Sequence, residues 1–552
     1  MRYMNIRETK TKNKYGSTYT YLQLVHNYRD KVSGKTVTKV FLNLGRKDKL
    51  STELIRSIVE NLSSLLDVPS NTLGTSVPFV FHKSKQLGGP FLLDALWKKL
   101  GMGLAVSKLV SDRSFRSPVE RMCFALVAGR ILDHSSKLSL EHWIENLAYV
   151  RGLASVDVHS LYRVMDFMFE SGERIQQSIF KSVAKNAKLD VDVIFLDTTN
   201  TYFECEPDTG VESLKKLGYS KDKHPELPLV SIAFAVTRDG IPVRHWVFPG
   251  NTSDQSIVER VKDDLSDWNL GNVVMVEDAG FNSDDNRRVL RRECGDYIIG
   301  EKLRTGSRGA AVDALHRHGR YKEIRDGLFI KDVMVDEGSA TQRRYVIVKD
   351  SEAEKHDRLV REDIVKEVQS RLDSLAQTEG EAHTKAACAL RSHGTFGRYV
   401  RQSKSGVLSL DREKIAEDSL LDGKFLVSAS NMKMKAEDIV MGYKQLWVIE
   451  RLFRDMKNIL NIRPVYHRLE ERIKCHVLIC WVAMILIRVA ENETGMTWHR
   501  IEKAMSCITA GAIGSGGYTS WMTSDITAEA AEIFEKLKIT PPQSVLSVEK
   551  NS

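Results

Sequence analysis

The sequence predicts an α/β protein: a mixed β-sheet with flanking helices, split by an insertion subdomain and preceded by a basic β-hairpin and an α-helical region. Three observations lead there. From position 191 onward, apolar runs of strand length succeed one another as VDVIFLDTTNTYF, LVSIAFAVTRDG, IPVRHWVFPG, NVVMVEDAGF and DYIIGEKL. The first three are joined by short turns, whereas helical stretches at 254–268 and 283–293 flank the fourth, the pattern of a mixed sheet covered by helices. A polar stretch over 301–422 then interrupts the pattern before LDGKFLVSAS restores a core strand.

Taken from the N-terminus, the first fifty residues hold twelve Lys/Arg against Glu8, Asp30 and Asp48, a local charge of +9 in a chain of net +8. Within them, 19–28 and 36–44 are rich in Tyr, Val, Thr and Leu and are linked by the turn-forming Asp-Lys-Val-Ser-Gly-Lys, so they read as a β-hairpin. Its lysines suit a solvated edge and a DNA-backbone contact equally. From 91 to 187 the apolar period becomes helical, with helices expected over 118–132, 139–150 and 158–169. The short connection 151–157 between the last two suits a helix-turn-helix as well as an ordinary bundle. The strands after 191 have the order of an RNase H-like arrangement. An insertion as long as 301–422 is expected to be a subdomain instead of a loop; it offers strands at 329–334, 345–349 and 398–401 and a charged helix at 352–375. A long helix is predicted over 435–460, a buried core helix around 477–487, and a C-terminal stretch with a Gly-rich segment at 511–517 and a helix at 528–537. The predicted domain boundaries are 1–85, 86–188, 189–300, 301–422, 423–495 and 496–552.

Composition narrows the function classes. At 552 residues the chain is too long for a single small module, and 42% apolar with 28% charged residues and only 12 prolines excludes a disordered chain. Seven cysteines without a C-x-x-C pair disfavour a disulfide framework and a structural zinc site. The longest apolar stretch is about half of the roughly 20 residues a membrane span needs. With no secretory signal apparent, a cytoplasmic protein without membrane contact is expected.

Candidate chemistry lies in three places. Asp197 ends the apolar run Val193-Ile194-Phe195-Leu196, and Asp278 ends Val273-Val274-Met275-Val276 with Glu277 intervening; carboxylates at strand ends sit where ligands of α/β sheets collect. The third is MGYKQLWVIERLFRDMKNIL, where Tyr443, Glu450 and Lys457, spaced by seven, share a helical sector with Trp447 and Arg454. Leu446, Ile449, Phe453, Met456 and Leu460 form a separate apolar stripe. Three carboxylates on two strands and a helix could hold two Mg²⁺ ions about 3.5–4 Å apart and drive in-line phosphoryl displacement.

With those residues in view, the chain resembles the DDE-type insertion-sequence transposases whose signature is Y-(2)-R-(3)-E-(6)-K, the insertion-sequence-four-like group in its long-chain branch. Tyr443, Glu450 and Lys457 match three of the four fixed positions. FLDTTNTYFE and VMVEDAGFN resemble the two Asp motifs, and GYSKDKHPELPLV, PGNTSD and RPVYHRLEERIKCHV resemble further segments of that group. The resemblance implies metal-dependent cleavage and strand transfer at terminal inverted repeats of double-stranded DNA and joining to target DNA. It implies a homodimer in the synaptic complex, Mg²⁺ with Mn²⁺ as substitute, and a nucleoid-associated location. Asp197, Asp278 and Glu450 would be the catalytic metal ligands, and Tyr443, Lys457, Arg454, Lys221 and Arg463 DNA contacts. One position departs: the signature Arg is Leu446 here, with Arg454, or less so Arg451, as the compensating cation. Lys223 and His224 accompany Lys221 as phosphate candidates; Asn251 reads as a turn residue and His467 as an extension of the basic surface. A host nuclease on the same scaffold and a domesticated, non-catalytic DNA-binding protein are the alternatives.

Overall fold

In the computed structural model the described residues are 4–12, 18–29, 36–47, 80–111, 117–134, 136–205, 213–221, 224–303, 310–339, 342–463, 465, 467–515 and 517–550. The turn expected at 30–35, and Lys223, lie outside them. Near the N-terminus, β1 (Met4–Lys12), β2 (Thr18–Arg29) and β3 (Thr36–Arg46) form an antiparallel sheet. The β2–β3 pairing is the expected hairpin. β1 adds a third strand that the sequence did not announce, because Arg-Glu-Thr-Lys-Thr-Lys lacks an apolar face.

After β4 (Val80–Gln86), helices Gly88–Lys99, Met102–Val110, Val119–Leu132, Lys137–His142, Val158–Glu170 and Gly172–Ala187 form a helical region. Side chains explain two of its boundaries: Ser136 accepts from the Ser139 amide at 3.2 Å, and Asp157 accepts from the amides of His159 and Ser160 at 2.9 and 3.1 Å. The helix expected at 139–150 is shorter, passing into a π-turn at Trp143–Leu147 before Ala148 turns extended.

β5 (Val193–Tyr202), β6 (Leu229–Thr237) and β7 (Pro242–Pro249) are antiparallel neighbours, and β8 (Val274–Glu277) and β9 (Asp296–Gly300) run parallel to β5 on its other side. Their spatial order is β7-β6-β5-β8-β9. The stretch expected to stand apart as an insertion in fact extends this sheet. β10 (Lys322–Arg325), β11 (Leu328–Val335) and β12 (Arg343–Asp350) join it through antiparallel pairing of β12 with a later strand. Only the chain beyond β12 leaves the sheet: the Ser351–Leu375 and Gly380–Ser392 helices, a small hairpin of β13 (Val400–Gln402) and β14 (Leu408–Leu410), and the Arg412–Ser419 helix. β15 (Lys424–Ala429) then enters between β12 and β9 and completes nine strands.

The helix expected over 435–460 is two helices, Ala436–Lys444 and Trp447–Asn458, broken at Gln445 and Leu446. Next comes Glu470–Thr494, buried on nearly every side. It is long and apolar enough to cross a membrane, yet 94% of its most apolar window is buried inside the protein, where it packs on the Val119–Leu132 and Val158–Glu170 helices and on β7. The C-terminal stretch is no loose tail. After the Trp498–Ser506 helix, β16 (Thr509–Ser515), β17 (Tyr518–Thr523) and, beyond the Ala528–Lys536 helix, β18 (Val545–Lys550) make a sheet of order β18-β17-β16-β4. All seven cysteines are free.

Candidate active site

Asp197 does not end its strand. β5 continues through Thr198-Thr199-Asn200-Thr201-Tyr202, all paired with β6, but its parallel pairing with β8 stops at Leu196 opposite Glu277. Asp197 therefore stands where the parallel ladder ends, and Asp278 is the first residue after β8. Because side chains alternate along a strand, Glu277 shares the face of Leu196, and the two aspartates share the other. Phe234, the β6 partner of Asp197, meets Phe453 edge-on with ring centroids 6.0 Å apart, so the Trp447–Asn458 helix covers the face that carries Asp197. Glu450 lies in the first turn of that helix, where a carboxylate is also favoured by the helix dipole.

These elements enclose a cavity of about 350 Å³ lined by Asp197, Asp278, Phe425, Tyr443, Lys444, Leu446, Trp447, Ile449 and Glu450. Tyr443 Oη donates to Asp278 Oδ1 at 3.3 Å, and its ring stacks on Phe425 at 5.8 Å. Burial, then the Asp278 carboxylate, push the Tyr443 phenol well above its ordinary value, so it is a fixed donor. Burial raises Asp197 to about 6, partly opposed by Lys221, whose amine is 3.8 Å from Asp197 Oδ1 and donates to the Thr198 carbonyl at 2.6 Å. Thr198 Oγ1 in turn donates to Asp254 at 2.6 Å.

The remaining site candidates fall outside this lining. Lys457 is on the same helix as Glu450 but part-buried beyond the cavity, and Arg454 is exposed. Arg451, the weaker candidate to replace the signature Arg, is engaged elsewhere: it pairs with Glu491 at 3.0 Å and Asp455 at 3.6 Å. Arg463 lies over the Tyr202 ring at 5.1 Å, and His224 packs on the same ring at 4.8 Å. His467 sits against Tyr162 and His476, and burial lowers it to about 4, so it adds no charge at neutral pH. Asn251 lies in the turn after β7. Leu446 is not in a continuous apolar stripe; it occupies the helix break and faces the cavity beside Lys444. Sequence reasoning missed Lys444, whose amine is 3.4 Å from Asp350, and Asp254; the only signal for either was proximity to a motif.

Hard carboxylate oxygens without a Cys or His among the lining residues suit Mg²⁺. Among the described residues, no three His, Cys, Asp or Glu side chains are already gathered closely enough to hold an ion. Asp197 is engaged by Lys221 and Asp278 by Tyr443.

Residues 188–487 match the Transposase DDE domain family. The chain belongs to the DDE transposases. Residues 6–67 match a second family, the N-terminal domain of IS1634 family transposases, so this is a DNA transposase of IS1634 type. Divalent metal ions serve DDE transposase domains in general. A solved piggyBac transposase synaptic complex with hairpin DNA is similar at 11% identity, over 81% of this chain and 79% of that one, with a TM-score of 0.34. Among curated proteins nothing matches.

Two neighbours of this cavity yield predictions. Glu277 is wholly buried with neither carboxyl oxygen hydrogen-bonded, and burial pushes it up to about 8 from 4.5. The folded chain then holds a proton that the unfolded chain releases, so stability falls as pH rises from 4.5 through 8 and levels off above. Glu277→Gln is expected to remove up to roughly 1.4 kcal/mol per pH unit of that slope, read from urea midpoints at pH 5 and pH 8. At Gly300, a Cβ would collide with the Tyr443 hydroxyl and stand 3.2 Å from the Ala279 amide nitrogen. Gly300→Ala is expected to lower cleavage about tenfold, ~1.4 kcal/mol in the barrier, without loss of DNA affinity; unchanged cleavage would show that Tyr443 need not sit there.

Proposed function

We propose that this transposase binds the terminal inverted repeats of its mobile element, cuts at their ends with two divalent metal ions and joins the resulting 3′-hydroxyl ends to target DNA. The observation that carries this reading is the convergence of Asp197, Asp278, Tyr443 and Glu450, from four separate segments, on one cavity. The order β7-β6-β5-β8-β9, with β5, β8 and β9 parallel, supports an RNase H-like core. Tyr443, Glu450 and Lys457 support membership of the group with the Y-(2)-R-(3)-E-(6)-K signature, with Lys444 a better-placed cation than Arg454 beside Leu446.

In this reading Asp197, Asp278 and Glu450 would hold Mg²⁺, or Mn²⁺ in its place, which supplies an activated hydroxyl and charge stabilisation at the entering and leaving oxygens. The chain's own groups orient the reaction. Tyr443 fixes the rotamer of Asp278 by its hydrogen bond. Lys221 neutralises Asp197 until an ion arrives, then can turn to a phosphate oxygen. Lys444 brings a cation to the cavity wall, Trp447, 53% exposed, brings an aromatic face to its mouth, and Lys457, Arg454 and Arg463 extend the basic surface. A homodimeric synaptic complex acting at the nucleoid completes the proposal.

The purified chain is expected to nick a labelled terminal-repeat duplex with Mg²⁺ or Mn²⁺ and to lose that activity in EDTA, as resolved on a denaturing gel. Cutting that persists in EDTA would remove the metal chemistry.

A further inference from the structure

At the outer edge of the nine-stranded sheet, two strands from β5, β7 walls a second cavity of about 260 Å³. It shares no residue with the lining around Asp197. Arg244 and His245 of β7 meet there the start of the Gly172–Ala187 helix and Lys474 of the Glu470–Thr494 helix. Arg260, from the Val258–Ser266 helix, joins them. Among the described residues the lining therefore carries three cations, Arg244, Arg260 and Lys474, and one carboxylate, Glu173.

These groups are not satisfied among themselves. Arg244 is 6% exposed, and its guanidinium meets Asp264 Oδ2 at 3.1 Å and Glu173 Oε1 at 3.3 Å, yet its Nε has no hydrogen-bond partner. Asp264 is already shared: the Trp246 indole donates to it at 2.7 Å, and Arg260 stands 3.8 Å away. Among the described residues Lys474 pairs with no carboxylate, and its amine lies 5.8 Å over the Phe169 ring. His245, 7% exposed, has an unpartnered Nδ1; burial lowers it to about 3, so the ring is neutral and can donate an N–H. The helix adds the same sign. Ser171 provides no side-chain cap, and the first intrahelical donor is the Ile175 amide, so the positive end of a 16-residue helix opens on the cavity. Buried polar atoms are normally partnered, and orphans on a cationic wall call for an anion.

We propose that this cavity binds a phosphate group, held by the first-turn amides of the Gly172–Ala187 helix and by Arg244, Arg260 and Lys474. A tetrahedral oxyanion suits a helix N-terminus and a guanidinium fork together. Glu173 is then a stand-in for the ligand. Its side chain is 66% exposed and only 3.3 Å from Arg244, so it can swing into water when a more highly charged group takes the guanidinium. The phosphate can belong to DNA lying along the sheet edge or to a free phosphorylated molecule, since both present the same oxygens.

Two measurements on the full chain test the site. Calorimetric titration with inorganic phosphate in metal-free buffer, at constant ionic strength against chloride, is expected to show binding that weakens about tenfold in Arg260→Gln and in Lys474→Gln. Glu173→Gln is expected to tighten it several-fold, a change of opposite sign that a general loss of packing would not produce. None of the three residues is buried, and melting temperatures in chloride should match wild type. Binding of a terminal-repeat duplex is then followed against salt. A slope of log affinity on log salt shallower by about one in each cationic variant assigns the phosphate to the DNA backbone. An unchanged slope beside weakened phosphate binding assigns it to a free phosphorylated molecule. Phosphate heats and salt slopes that both match wild type in Arg260→Gln and Lys474→Gln would overturn the site while leaving the proposed cleavage chemistry intact.

Discussion

Asp278→Asn is expected to reduce Mg²⁺-dependent strand cleavage at least a thousandfold, about 4 kcal/mol in the barrier, while terminal-repeat affinity in metal-free buffer changes less than threefold. The substitution is isosteric, and the amide oxygen still accepts from Tyr443, whose hydroxyl now lies 3.3 Å from Asp278 Oδ1. Local geometry therefore survives, and what is lost is a hard anionic ligand on the face shared with Asp197. An indirect route through Asp197 has the wrong sign. The Asp278 charge helps to raise Asp197, so its removal makes Asp197 easier to ionise. A cleavage defect cannot then come from a protonated Asp197. Parallel gel cleavage and filter-binding assays decide the matter, since cleavage within tenfold of wild type would take Asp278 out of the catalytic set.

The two aspartates were legible because buried parallel strands are written as nearly unbroken apolar runs, and a carboxylate that closes such a run stands out. The position of Asp197 within its strand was not legible. Thr-Thr-Asn-Thr-Tyr looks like a loop, yet Thr198 to Thr201 are buried in β5 and paired with β6. Pairings distant in sequence were equally hidden. β12 meets β15 across the helices from Ser351 to Ser419, and β4 meets β16 across most of the chain; neither leaves a local pattern. The break at Gln445 and Leu446 escaped for another reason. Both residues keep right-handed helical backbone angles and no Gly or Pro marks the place, so periodicity alone runs straight through it. That break puts Tyr443 and Glu450 on two separate helices, so a seven-residue spacing read along one helix could not give their relative placement; both line the cavity, whereas Lys457 does not.

Arg488→Met is expected to destabilise the fold by about 3 to 5 kcal/mol, the largest stability loss foreseen at a single position. Arg488 is 3% exposed and pairs with Glu491, itself 7% exposed, and with Asp455 at 2.6 Å. Arg451 meets the same two carboxylates from the Trp447–Asn458 helix, and the Trp498 amide donates to Glu491 at 2.9 Å. This network ties the helix bearing Glu450 to the central Glu470–Thr494 helix and to the one after it. Removing Arg488 leaves two largely buried carboxylates sharing one part-exposed guanidinium, and the uncompensated charge sets the cost, more than the lost bonds do. Neutralising those acids should therefore restore most of the loss. Arg488→Met combined with Asp455→Asn and Glu491→Gln is expected to recover at least half of it in urea denaturation at pH 7. A triple variant less stable than Arg488→Met alone would mean that packing around the arginine stem, not its charge, holds the helices together.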